Sequence, residues 1–286
     1  MDGNITRINL DEWVESGGGA LGVTYFHKSD PSMIVKFNNA TNTLEDIQRE
    51  ISISRKVFEM GIPSPEPSEM VTDGKRYGMM FKRIYNKISY ARMIGSYPEK
   101  IDQTAAEMAA LAKQLHSTRC DTSTIPNVKV LYRNLILRNN LHDEQIKQGA
   151  LNLIDSIPDR DTCLHGDFHF GNVIKADGKS YFIDLGNFCY GDPYFDLAML
   201  AEITVLASLD SKYTCSLYHC TPEQIVTFWK CFVKHYMGTD DPEGAKRLIL
   251  PYIAIRQLGM EVESGKVIPD SATTETFALL REWSSK

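Results

Sequence analysis

The 286-residue chain is as informative in what it omits as in what it contains. It has no apolar run long enough to cross a bilayer, and its opening residues, MDGNITRINLDEW, are polar and acidic where a signal peptide needs an apolar core. No membrane partner is therefore expected, and the setting expected is cytoplasmic. There is no arginine-rich tract, and 31 Lys and Arg against 37 Asp and Glu give a net charge of -6, which excludes a nucleic-acid partner held by broad phosphate neutralisation. The six cysteines (Cys120, Cys163, Cys189, Cys215, Cys220, Cys231) form no C-x-x-C pair, so neither a disulfide framework nor a zinc site is expected. Internal repeats and low-complexity segments are missing too. With 43% hydrophobic residues, the chain has enough apolar material for one large domain or two lobes of ordinary size.

The pattern of what remains changes once along the chain. The first eighty-odd residues are strand-rich, with "ALGVTYFHK" and "PSMIVKFNN" around the turn-like "SDP". A helix follows over "TLEDIQREISISRKVFEM", its inward stripe read as Leu44, Ile47, Ile51 and Phe58 and its end set by Gly61 and Pro63. Two further strands, "EMVTD" and "YGMMFKRI", flank an Asp73-Gly74 turn. From about Asn86 onward the period is helical, clearest at Ala105, Met108, Ala109, Ala112 and Leu115 and at Ile225, Phe228, Trp229, Phe232 and Tyr236. Inside this helical half, "GNVIK" and "SYFID" enclose Ala176-Asp177-Gly178-Lys179 and predict one tight hairpin. The division expected is a small β-rich N-lobe over residues 1–84 and a larger, mainly helical C-lobe over 85–286.

The segment LHGDFHFGNVIKADGKSYFIDLGN, Leu164 to Asn187, concentrates the chemistry and admits two readings. His165, Asp167 and His169 alternate as strand-borne metal ligands would. Alternatively, the antiparallel return of the hairpin brings Asp184 towards Asn172, with Asp167 in the loop ahead of them. Carboxylate and amide oxygens without thiolates suit Mg²⁺. Asp167, farthest from the strand pairing, is then the candidate to orient a substrate hydroxyl.

The order H-G-D-x-x-x-x-N followed by I-D-L-G resembles the catalytic core of the aminoglycoside phosphotransferase and choline kinase family, small-molecule relatives of the protein kinases. The resemblance implies a two-lobed, protein-kinase-like α+β fold. It gives Asp167 the place of the catalytic aspartate and Asn172 and Asp184 those of the metal ligands. It also implies a phosphate-covering loop, matched by Gly17, Gly18, Gly19 and Gly22, a strand lysine, matched by Lys36, and a helical carboxylate to hold that lysine, matched by Glu50 rather than Glu45. By the same resemblance Phe81 backs the adenine pocket and the main chain of Lys82 to Ile84 bonds the purine. Lys82 and Arg83 depart from the acidic hinge common in the family and leave ATP versus GTP open. "MAALAKQLHS" and "GDPYFDLAML" complete the likeness, with His116 and Asp196 in supporting positions.

The function implied is transfer of the γ-phosphoryl group of ATP, or GTP, with Mg²⁺, to a hydroxyl of a small molecule, for which an aminoglycoside, amino sugar or amino alcohol is a candidate. Residues 190–286 carry thirteen Asp and Glu against nine Lys and Arg, a mild excess that suits a cationic acceptor. The alternative is a catalytically silent nucleotide- or metabolite-binding protein on the same fold. A polypeptide-directed kinase is disfavoured, since no A-P-E follows Asp184 and Asp192-Pro193 arrives too soon for an activation loop. The sequence names neither the acceptor nor the oligomeric state.

Overall fold

The computed structural model describes residues 5–19, 22–38, 42–267 and 270–286. The chain divides into two compact units, one running through Lys87 and joined by Ile174–Gly186, the other comprising Ile88–Val173 and Asn187–Lys286.

In the first unit, β1 (Thr6–Arg7), β2 (Trp13–Gly19), β3 (Gly22–His27) and β4 (Met33–Asn38) precede α1 (Leu44–Glu59), and β5 (Pro67–Thr72) and β6 (Tyr77–Lys82) follow it. Among the described residues these strands make one sheet in the order β1-β5-β6-β4-β3-β2, antiparallel except for the β1–β5 pair. The glycine-rich run that reads as a loop in sequence is largely strand: β2 continues to Gly19 and pairs with β3, while Ala20 and Leu21 lie outside the described residues. Strand alternation then sorts β4. Val35 and Phe37 pack with Trp13 and Val71 on one face, leaving Lys36 and Asn38 on the other, with Ile47 and Ile51 of α1 clustering against Met79, the cross-strand neighbour of Lys36. Helix α1 starts at a capping box in which Thr43 Oγ1 accepts from the Asp46 N–H and Asp46 accepts from the Thr43 N–H. Its buried arc turns along its length from Ile47 and Ile51 to Ile53 and Val57. Phe58, expected inside, is consequently 42% exposed.

In the second unit β7 (Ile88–Ser89) is followed by α2 (Tyr90–Ser96), α3 (Ile101–Ser117), α4 (Val128–Arg138), α5 (Glu144–Ser156) and β8 (Cys163–Leu164). The hairpin of β9 (Val173–Ala176) and β10 (Lys179–Phe182) comes next, most of it counted with the first unit. Asp177 and Gly178 both adopt positive φ (47° and 77°), the pattern of a two-residue hairpin turn. After β11 (Cys189–Tyr190), which pairs antiparallel with β8, come α6 (Tyr194–Leu209), α7 (Ser211–Tyr218), α8 (Pro222–Met237), α9 (Pro242–Ser264) and α10 (Asp270–Trp283). The main packings are α3 on α8, α6 on α9 and α5 on α10. The apolar stripes expected of α3 and α8 are buried, apart from Tyr236, which is half-buried and pairs its hydroxyl with His116. All six cysteines are free thiols. No helix among the described residues is long and apolar enough to cross a membrane.

Candidate active site

The first unit brings together Lys36, Glu50 and Asp184. Lys36 is presented from the α1-facing side of β4, and Glu50 lies on the buried arc of α1, so Nζ meets Oε1 at 3.3 Å. The Asp184 Oδ1 receives the same Nζ at 2.7 Å. Burial alone pulls the Lys36 pKa down, but the charges of Asp184 and Glu50 and their hydrogen bonds outweigh it, and the ammonium is held above its usual range. The second Glu50 oxygen accepts from Asn38 Nδ2 at 2.8 Å, so two residues of one strand face fix both ends of one carboxylate. Asp184 sits at φ 62°, a left-handed conformation in which aspartate is one of the tolerated residues, and turns the chain into the short helical turn that follows. A Cβ on Gly186 would come 3.4 Å from the Glu50 Cδ, an ordinary contact distance that places this segment against α1.

The remaining residues expected to hold nucleotide lie along the same sheet. Gly17, Gly18 and Gly19 pair with Thr24, Val23 and Gly22, and a Cβ on Gly22 would stand 2.4 Å from the Phe37 carbonyl oxygen. Phe81 is half-buried on the α1-facing side, opposite Ile34. Lys82 points out to Glu66, 3.3 Å away, and its N–H donates to the Glu66 carbonyl. The N–H of Arg83 donates to the Ser32 carbonyl at 2.7 Å, while its guanidinium covers the Phe26 ring. Ile84 is half-buried.

The second unit holds Asp167 and Asn172 on one loop. Phe168 and Phe170 are fully buried and pack edge-on or tilted against Phe232 and Phe228 of α8, and the alternation turns Asp167 and His169 the other way. Asn172 Nδ2 donates to both the main-chain carbonyl and the Oδ2 of Asp167, each at 2.9 Å. Burial pushes the Asp167 pKa up; the hydrogen bond and electrostatic pull of His169, with the electrostatic pull of His165 and of the Arg256 guanidinium, override it and hold the carboxyl well below the usual carboxylate range. Upstream, the N–H groups of His165 and Gly166 donate to the Asp196 carboxylate at 2.8 and 2.9 Å, and Asp196 also receives His116 Nε2 at 3.1 Å. The histidines do not form the metal site of the alternative reading. His165 Nδ1 accepts from the Asp167 N–H and His169 Nδ1 from the Gly171 N–H, and no group of three His, Cys, Asp or Glu among the described residues could hold an ion. The donors on the other reading do suit Mg²⁺. Asn172 donates its Nδ2 to Asp167, and its amide oxygen and the Asp184 carboxylate are each the kind of hard oxygen donor that Mg²⁺ prefers.

Two charged residues under this loop escaped the sequence reading. Arg256, 6% exposed on α9, donates to Tyr132 Oη at 2.8 Å, to Glu202 Oε2 at 3.4 Å and to the Gly166 carbonyl at 3.4 Å. Glu202 on α6 is 2% exposed, and burial, only partly offset by Arg256, pushes its pKa up to about 7. Each is a lone charge in an apolar helical run, "YIAIRQLGM" and "LAMLAEITVL", which is the signal that would have singled them out.

A protein named LicA homolog from Mycoplasma capricolum subsp. capricolum is 31% identical over 128 residues, 43% of this chain and 53% of that protein, so the chain spans about half the length of the curated relative it matches. Among solved structures, a ternary complex of aminoglycoside phosphotransferase APH(4)-Ia with ADP and hygromycin B matches with a TM-score of 0.59 at 12% identity, over 96% of this chain and 93% of that one. A choline/ethanolamine kinase family protein from Mesorhizobium loti matches with a TM-score of 0.56 at 12% identity, over 96% and 88%. At such identities the likeness establishes the fold, a β-rich N-terminal part and a mainly helical C-terminal part of the protein-kinase-like type. The model of the phosphotransferase enzyme family matches residues 12–213, a span that takes in Lys36, Glu50, Asp167, Asn172 and Asp184, and the chain belongs to that family.

Proposed function

We propose that the protein transfers the γ-phosphoryl group of ATP or GTP to a hydroxyl of a small molecule. The observation that carries this reading is the Lys36–Glu50–Asp184 cluster: a lysine held by a helical carboxylate and by the aspartate of the I-D-L-G motif. A surface lysine has no need of two buried-side anions, whereas a lysine that must meet phosphate oxygens does. Family membership supports the reaction class.

In this reading Lys36 pairs with phosphate oxygens, the glycines of β2 and β3 let main-chain N–H groups come close to them, and Phe81 lies behind the base. The N–H groups of Lys82 and Arg83 are already committed, so the purine edge meets carbonyls of the segment or the Ile84 N–H. Asn172 and Asp184 would hold Mg²⁺, which supplies charge neutralisation on the phosphates. Asp167 is an anion whose Oδ2 is fixed by Asn172, so it accepts the hydroxyl proton as the acceptor oxygen bonds to phosphorus and the nucleoside diphosphate leaves. The acidic balance of residues 190–286 favours a cationic acceptor such as an aminoglycoside, amino sugar or amino alcohol.

The test is nucleotide turnover across a library of aminoglycosides, amino alcohols, sugars and nucleosides, with parent and Asp167→Asn protein. The expected outcome is transfer to at least one class, a kcat lowered about 10²-fold or more in the variant, and nucleotide affinity nearly unchanged. Tight nucleotide binding with no transfer to any acceptor would instead identify a silent binding protein.

A further inference from the structure

We propose that Arg256 is a positioning residue for Asp167: its buried guanidinium holds the Gly166 carbonyl and so fixes the peptide group that enters the catalytic aspartate. The role rests on the assignment of Asp167 above. The mechanism does not otherwise use Arg256, and burying a guanidinium so completely is costly unless its bonds do something an apolar side chain could not.

Gly166 explains what there is to fix. It sits at φ 80°, and a Cβ there would lie 1.9 Å from the Asn187 carbonyl oxygen, so the position needs glycine and brings a glycine's conformational freedom with it. The flanking peptides are restrained from opposite sides. The His165 and Gly166 N–H groups donate to Asp196, an anion, and the Gly166 carbonyl accepts from Arg256 Nη1 at 3.4 Å, a cation. Rotating the Gly166–Asp167 peptide would break the Arg256 bond and re-aim the Asp167 side chain. Arg256 is itself immobilised, by Tyr132 Oη at 2.8 Å, by the Met199 thioether and by Glu202. Tyr132 in turn stacks on Phe195, at 5.4 Å and 9° between ring planes. A planar fork can reach Tyr132, Glu202 and Gly166 at once; an ammonium at the same place cannot.

Glu202 separates this role from that of an ordinary buried ion pair. One of its oxygens takes Arg256 Nε, and the other, Oε1, is buried without a hydrogen-bond partner. If the pair existed for stability alone, neutralising either partner would disturb the same contacts. If Arg256 serves the loop, Glu202→Gln, which leaves the Nη1 bonds in place, spares it.

The experiment uses full-length protein and two readouts. Amide hydrogen exchange over residues 165–172 is followed in parent, Arg256→Lys and Glu202→Gln protein, and steady-state transfer is measured for Asp167→Asn, Arg256→Lys and the double variant with any acceptor found. Arg256→Lys is expected to speed loop exchange about tenfold and to lower kcat about 10–100-fold with nucleotide KM within about twofold, the cost of a slightly misplaced group. Glu202→Gln should leave loop exchange at the parental rate. In the Asp167→Asn background, Arg256→Lys should add little further loss, because the residue acts through Asp167. Unchanged loop exchange in Arg256→Lys, or losses that multiply in the double variant, would overturn the proposal. Faster loop exchange in a protein that transfers phosphate to no acceptor would support the positioning of Asp167 and remove the phosphotransferase reading.

Discussion

Glu50→Gln is the substitution from which the candidate nucleotide site has most to lose. Its carboxylate bonds Lys36 Nζ at 3.3 Å and Asn38 Nδ2 at 2.8 Å, and Asn38 Oδ1 is buried with no partner. The glutamine amide keeps one acceptor for Lys36 and turns a donor towards Asn38. Rotating the Asn38 amide by half a turn then presents Oδ1 to that donor, so both hydrogen bonds survive and only the charge is lost. Stability should therefore change little, by about 1 kcal/mol. The electrostatic consequence is larger. A unit charge pair at that distance is worth about 5 kcal/mol at an effective dielectric of about 20. Asp184, at 2.7 Å from the same ammonium, is then the one anionic partner left to it among the described residues and draws it off the position set by α1. If the net loss is that of a charge-assisted hydrogen bond, about 1.5–3 kcal/mol, kcat/KM falls about 10–100-fold.

Lys36→Ala should do worse on both counts, because it leaves Glu50 and Asp184 facing each other across the gap. Glu45→Gln is the control, since Glu45 is exposed in the first turn of α1. Nucleotide affinity by calorimetry, thermal melting, and nucleoside diphosphate release with the acceptor found by screening read the three effects. Activity within about twofold of the parent for Glu50→Gln would refute the electrostatic argument, and a loss in Glu45→Gln alone would place the lysine's partner one turn away.

Other expectations follow from the same geometry. Asp184→Asn should weaken Mg²⁺-dependent nucleotide binding about tenfold or more while the melting temperature without ligand changes little, because asparagine tolerates the φ of 62° at that position; equal affinity in the two proteins would remove Asp184 from the site. Glu202, with its folded pKa near 7 and an unfolded value near 4.3, binds more protons folded than unfolded, so its contribution to stability is present below about pH 4 and is lost as pH rises through about 7. The parent melting temperature should accordingly fall from pH 5 to 8, and Glu202→Gln should flatten that slope. Gly166→Ala should cost about 2 kcal/mol or more and abolish transfer, given the φ of 80° and the 1.9 Å approach of its Cβ to the Asn187 carbonyl; a stable, active variant would mean that the loop has room to move.

How far the sequence could be read depended on where each constraint acts. The hairpin after Asn172, the turn at Asp177-Gly178 and the stripes of α3 and α8 follow from local rules, turn chemistry and periodicity, and each appears within a residue or two of its expected place. The glycine run failed for a local reason too. Glycine is a poor strand former, yet β2 is held by its pairing with β3, where Gly22 must pass close to Phe37. Strand alternation explains why Lys36 and Asn38 share a face, and it could have been applied to MIVKFN directly; that Asn38 would complete the partners of Glu50 could not, since nothing in the sequence gives the rotation of α1.

Arg256 and Glu202 mark the boundary of sequence reading differently. Both stand alone in apolar helical runs, so their burial was legible, but their partners were not: Arg256 bonds residues 54, 90 and 124 positions away. Motif residues are close in sequence because a short loop and a hairpin must hold atoms in register, whereas the groups that restrain such a loop come from whichever helices pass beneath it. Here three helices, α4, α6 and α9, supply Tyr132, Glu202 and Arg256, and the loop replies with a glycine carbonyl, an atom with no side-chain signature at all. On the proposed reading, the rigidity of Asp167 depends on contacts that no motif records, and substitutions in the C-terminal helices should alter turnover without touching either nucleotide or acceptor.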